Sequence, residues 1–190
     1  VRKASPSYPD YGEINARLHD ANPAVRQAAI LEMAQKTDLA GTRALLSIAR
    51  ENDAVVLGNL NFALVSTRDK ASVEWLTSEG LLFPERWTRY YAVRILWRER
   101  NREALPVLLP LLAENYWQVQ IAILDALAES GDLSHAVDPL GSASAAGKNW
   151  EVRSRAIRLL GQANSAAAVR ALLDKALPPA NGAADPEAER

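Results

Sequence analysis

The chain has 190 residues, 48% of them hydrophobic and 24% charged, and a formal net charge of −1. That length can bury a sizeable core, and the charge balance argues against indiscriminate attraction to nucleic acid or anionic lipid. There is no cysteine, which removes disulfide and thiolate chemistry, and no apolar run reaches the roughly 18 residues of a membrane-spanning helix.

Residues 1–9 hold two prolines and two serines without apolar periodicity, and read as a flexible N-terminal arm. The chain opens on Val1, which fits a processed exported protein or a segment of a longer one, so the compartment stays open. A short helix is expected over 10–19. Five helix pairs follow, as units of about 20–51, 52–82, 84–113, 115–146 and 148–177. Their first helices are expected near 23–36, 54–66, 85–99, 116–129 and 150–162. The second helices fall near 41–51, 70–81, 102–113, 133–144 and 165–177. Turn residues separate them, among them Gly41, Asn101, Gly131-Asp132, Gly161 and Asn164. Pro106 fits a first helical turn, whereas Pro110 must tighten or distort the helix that holds it. Pro139, Gly141 and the Ser/Ala tract to Gly147 predict a short or frayed fourth second-helix, with an adaptable loop at 139–148. Residues 178–190 bury almost nothing and read as a disordered tail. No alternating strand pattern occurs.

The first helices share a pattern. Counting from Val25, Val55, Thr88, Val119 and Val152, positions p, p+4, p+7 and p+8 are apolar except at Glu32, Asn59 and Thr88. At 100° per residue these positions share one stripe about 100° wide, the mark of a helix face packed on a partner. The starts lie 30, 33, 31 and 33 residues apart, a period suited to stacked helical hairpins. Position p+1 is Arg26, Arg89 and Arg153 in three units and Gln120 in a fourth. A single hairpin cannot hide its apolar faces, whereas stacked ones share a continuous core. The recurring arginine is therefore expected to tie turns together.

The segments "DANPAVRQAA" at 20–29 and "KNWEVRSRAIRLLG" at 148–161 resemble the HEAT-like repeat family, with its Asp-x-x-x-x-Val-Arg-x-x-Ala signature. The likeness spans roughly residues 20–177, and the second unit departs from it, with Val56 for Arg and Asn59 for Ala. The resemblance implies an all-α, right-handed solenoid of about five hairpins, armadillo-type in architecture, with second helices on the concave side.

Chemistry is scarce. No Gly-rich phosphate loop, Gly-x-Ser-x-Gly or His-Glu-x-x-His motif is present, and no enzymatic activity is expected. His19 and His135 share no metal-ligand spacing, so neither metal nor cofactor is called for. Iron-binding hydroxylases of this repeat family use His-Glu pairs, which this chain lacks. Bilin lyases use similar repeats, which keeps a small-ligand chaperone role in view.

The stretch "RWTRYYAVRILWRERNR" at 86–102 is the densest in Arg and aromatic residues. On a helix, Trp87, Tyr91, Arg94 and Arg98 form one narrow stripe, with Arg89 and Trp117 as further candidates. Rings beside guanidinium groups suit interface anchors. The alternative is packing between hairpins, with arginine stems covering apolar surface. Trp87, Trp117 and Trp150 sit at the mouths of three successive first helices, where a hydrophobic seal is the favoured expectation over an interaction ridge. The expected function is a scaffold that binds another protein, acidic in character if the arginines serve it. Nucleic-acid backbone binding is the alternative.

Overall fold

A computed structural model describes residues 11–36, 38–113, 116–145 and 149–176. The arm at 1–9, the tail at 178–190 and the end of the 139–148 loop lie outside the described residues. All regular structure among the described residues is helical, without strands, so the fold is all-α. The chain divides into two compact units, Val1–Glu99 and Arg100–Arg190.

In the first unit α1 is Gly12–Leu18, α2 Pro23–Ala34, α3 Leu39–Ser47, α4 Ala54–Val65, α5 Lys70–Ser78 and α6 Arg86–Arg100. A 3₁₀ turn, Gly80–Leu82, joins α5 to α6. α2 packs on α1, α3 and α4, and α3 also touches α4 and α5. The helices start where short polar side chains satisfy open backbone N–H groups. The Asn22 side chain accepts from the Ala24 N–H at 3.0 Å, and Asp53 accepts from both Val55 and Val56. Asp38 caps α3 at Gly41, and Asp69 caps α5 at Ser72. Glu85 accepts from the Trp87 and Thr88 N–H groups at 2.8 and 2.9 Å and so opens α6.

In the second unit α8 is Trp117–Ser130, α9 Val137–Ala143, α10 Trp150–Gln162 and α11 Ala166–Ala176. α10 packs on α8, α9 and α11. Ahead of them, α7 is only Leu105–Leu108, flanked by 3₁₀ turns at Asn101–Ala104 and Leu109–Ala113. The expected second helix over 102–113 is thus tightened around its prolines, because Pro110 offers no N–H to the carbonyl four residues back. α9 is short, as Pro139 and Gly141 suggested. Backbone φ is positive at Asn101, Gly131 and Asn164, three of the turn residues read from sequence. Glycine adopts that conformation freely, and asparagine tolerates it better than most residues.

One register differs. Val55 and Phe62 were expected on the buried stripe of α4, yet they are 62% and 71% exposed. The buried set is Val56, Leu60, Ala63 and Leu64. The segment "AVVLGNLNFALV" is apolar on nearly every side, so periodicity alone cannot choose its face. The Asp53 cap does. With the start moved to Val56, the residue three places before each start (Asn22, Asp53, Glu85, Tyr116 or Asn149) is the one that precedes its helix. Asn59 is then no exception. It lies off the stripe, and its side chain donates to the Val55 carbonyl. The other two exceptions have partners: Glu32 meets Arg17 of α1, and Thr88 sits 3% exposed within the Glu85 cap.

Candidate functional site

Three of the four recurring p+1 residues, Arg26, Arg89 and Gln120, act within the fold, whereas Arg153 has no hydrogen bond or ion pair among the described residues. Arg26 donates to Glu51 at 2.6 and 2.9 Å and to the carbonyls of Asp20 and Ala21. Arg89 donates to the Phe83 carbonyl at 2.7 Å, and Gln120 does the same to Leu112 at 2.8 Å. In all three cases the side chain reaches back to backbone ahead of its own helix. The Arg26 hydrogen bonds hold the Glu51 carboxyl down at about 2, helped by the N–H groups of Asp53 and Asn52 against the opposing effect of burial.

The stripe on α6 is also drawn inward. Tyr91 is 2% exposed, and burial raises its phenol pKa. Trp87 is half-buried and meets Tyr90 edge to face at 5.7 Å. Arg94 donates to Asn61 of α4 and to the Tyr90 hydroxyl, both at 3.0 Å. Arg98 donates to the carbonyls of Val65 and Thr67 and to Glu99. Val65 ends α4, so Arg98 brings a cation and its donors to carbonyls left open at that terminus. Trp87, Tyr91, Arg94 and Arg98 do not form one solvent-facing patch, because Tyr91 is buried and Arg94 and Arg98 are turned onto Asn61, Val65 and Thr67. Arg102 likewise donates to the Ser130 carbonyl at 2.6 Å. These commitments leave few of the arginines in 86–102 open to a phosphate backbone.

The tryptophans at the helix mouths behave differently. Trp117 of α8 is 40% exposed and Trp150 of α10 is 69% exposed. The expected seal does not form at Trp150, most of whose surface is exposed.

Sequence reasoning missed one concavity of the first unit. A cleft of about 590 Å³ opens between α3, α5, the 3₁₀ turn and the start of α6. Its floor is Trp75, whose indole N–H donates to Glu79 at 3.0 Å. Phe83 abuts that ring edge to face at 5.6 Å, and the Arg43 guanidinium lies 4.6 Å above it. Arg50 reaches Glu85 at 3.7 Å with 75% of its side chain exposed. Gly80 lets the turn close under the cleft: a Cβ there would sit 3.3 Å from Leu76 and 3.4 Å from Ala92. One signal was available. Trp75 is the tryptophan outside the first helices, where a repeat scaffold would otherwise expect small or aliphatic packing residues.

No protein-family model and no curated protein matches this chain.

The second unit has a smaller, more apolar cleft of about 360 Å³, walled by Leu105, Pro106 and Leu109 and rimmed by Arg102, Asp132 and His135. Hydrogen bonds from Ser134 hold the Asp132 carboxyl below its ordinary pKa. No group of three or more potential metal ligands occurs among the described residues. Nor is any described helix long and apolar enough to cross a membrane.

Proposed function

We propose that this chain is a protein-interaction scaffold: helical hairpins of HEAT-like type, stacked as a right-handed solenoid, that hold a partner polypeptide against their second helices. The observation that carries this reading is the cleft at Trp75. Its volume falls in the range of ligand-binding concavities, and it combines an aromatic floor with a charged rim. Arginine and aromatic side chains supply most of the energy at protein interfaces. Phe83, 40% exposed, offers apolar surface on the side turned away from Trp75. The role assigned to 86–102 shifts accordingly, from contact surface to the tie between α6 and α4. Trp117 and Trp150 remain exposed anchors on the second unit.

Selection of a displayed random-decapeptide library on the whole chain tests the reading. Peptides should enrich over an unrelated helical protein, and Phe83→Ala should weaken them about tenfold or more while the melting temperature changes little. Absence of enrichment, or binders indifferent to Phe83→Ala, would remove the cleft as a docking site.

A further inference from the structure

The residue five places after each first-helix start sets the last hairpin apart from the others. In α2, α6 and α8 it is Ile30, Val93 and Leu124, exposed by 0%, 0% and 1%. In α4 it is Asn61, half-buried and bonded to Arg94 of α6. In α10 it is Ile157, and it is 44% exposed.

The join between α8 and α10 shows what such a face holds. Asp125 of α8 accepts from Arg155 of α10 at 3.2 Å, so α10 lies on that side of α8. Ile121 stands four residues before Asp125 and three before Leu124, which puts all three on one side of the helix. Ile121 and Leu124 are buried there. One unit further on, the same places are taken by Ser154, Ile157 and Arg158, with Trp150 for Trp117 and Arg153 for Gln120. Ile157 and Trp150 lie bare, and neighbouring α11 also exposes Val169 and Leu173. A stacked array ends on units with a polar outer face. α1 meets that need, exposing Gly12, Glu13, Asn15 and Ala16, and the α10–α11 hairpin does not.

The charge on the open face of α10 has one sign. Arg153 and Arg158 stand where α8 has Gln120 and Asp125, and neither has a hydrogen bond or ion pair among the described residues. The one acid of α10, Glu151, is already held by Arg155 at 2.8 Å. A second copy docking by the same face would set arginine against arginine. Residues 178–190 carry no apolar side chain larger than proline with which to cover Ile157.

Resting on the hairpin stack proposed above, though not on the Trp75 cleft, we propose that the open face of α10 receives a helix of an acidic partner protein, packed as α10 packs on α8. Aliphatic side chains of that helix cover Ile157 and Trp150. Its carboxylates pair with Arg158 and Arg153, with the charges of the Asp125–Arg155 pair exchanged.

The test selects a displayed library of two-helix hairpins, randomised along one helix face, on the whole chain. Enriched hairpins are labelled with fluorescein and measured by anisotropy. They should carry acids beside aliphatic residues, and changing those acids to amides should weaken binding about tenfold or more, with less effect at high salt. Ile157→Asn should weaken binding about as much at an unchanged melting temperature. Arg153→Gln/Arg158→Gln should remove the preference for acid over amide, and Phe83→Ala should change nothing. No enrichment, binding that ignores Ile157→Asn, or equal binding of the amides would overturn the inference. Hairpins that need Phe83 instead would overturn it and leave the cleft standing. A dimer in sedimentation that Ile157→Asn dissociates would make a second copy the occupant and overturn it equally. The stack is read separately: Leu124→Ala, at the internal join, should lower the melting temperature, and its failure to do so would count against the stacking itself.

Discussion

At the scale of single residues, the most consequential pairing is Arg26 with Glu51, whose side chains are 17% and 7% exposed. The carboxyl of Glu51 is held at about 2, below its ordinary 4.5. A group depressed on folding adds stability above its unfolded pKa and loses it as pH falls through the folded value. Urea midpoints of the wild type should therefore drop as pH falls from about 4.5 to about 2, and Glu51→Gln should flatten that part of the profile while lowering stability at neutral pH. An unchanged profile in the variant would mean that other carboxyls govern acid unfolding. At Arg26 and Arg89 the arginine recurrence was legible as a structural device, because p+1 side chains beside turns have carbonyls within reach; at Arg153 no such tie is present among the described residues. The acceptors were not legible. They are the Glu51 carboxylate and the carbonyls of Asp20, Ala21 and Phe83, and no sequence pattern records which carbonyl faces inward.

At the scale of elements, helix limits were largely visible in advance because caps are local chemistry. Pro23 after Asn22, Asp53 and Asn149 announce their helices within a residue or two of the observed starts. The face of α4 was misread by one residue because both Val55 and Val56 are apolar and the cap was not used to choose between them. That difference is measurable. Leu60→Ala, at a position with no exposure, should cost about 2–5 kcal/mol in urea unfolding, whereas Val55→Ala should stay within about 0.5 kcal/mol. The reverse order would restore the register read from periodicity. The cleft at Trp75 was illegible for a different reason. Its walls come from α3, α5, α6 and the residues that join them, and composition does not encode how these segments converge.

At the scale of the whole molecule, the proposed hairpin stack makes a claim about cooperativity. Stability in such arrays is a sum of unit terms and nearest-neighbour terms, so a lesion should act locally. Hydrogen exchange on Leu60→Ala should quicken amides of α2 and α4 far more than those of α10, which lies in the other compact unit. Uniform acceleration along the chain would indicate one cooperative body instead. The two units carry clefts of different character: that of the first is rimmed by four charges, and that of the second is mostly aliphatic. If the proposed docking role holds, two such concavities would favour segments of different polarity.

The grip of Arg98 on Val65 and Thr67 carries an evolutionary corollary. Because the acceptors are peptide oxygens, every amino acid supplies them equally, and substitutions at 65 or 67 leave the clamp intact. Only the donor is irreplaceable, since lysine lacks the planar fork that spans two carbonyls. Selection on this join would thus fix one guanidinium while its counterparts drift, and correlated substitution, which registers side-chain pairs, would pass over this link from α6 to the end of α4.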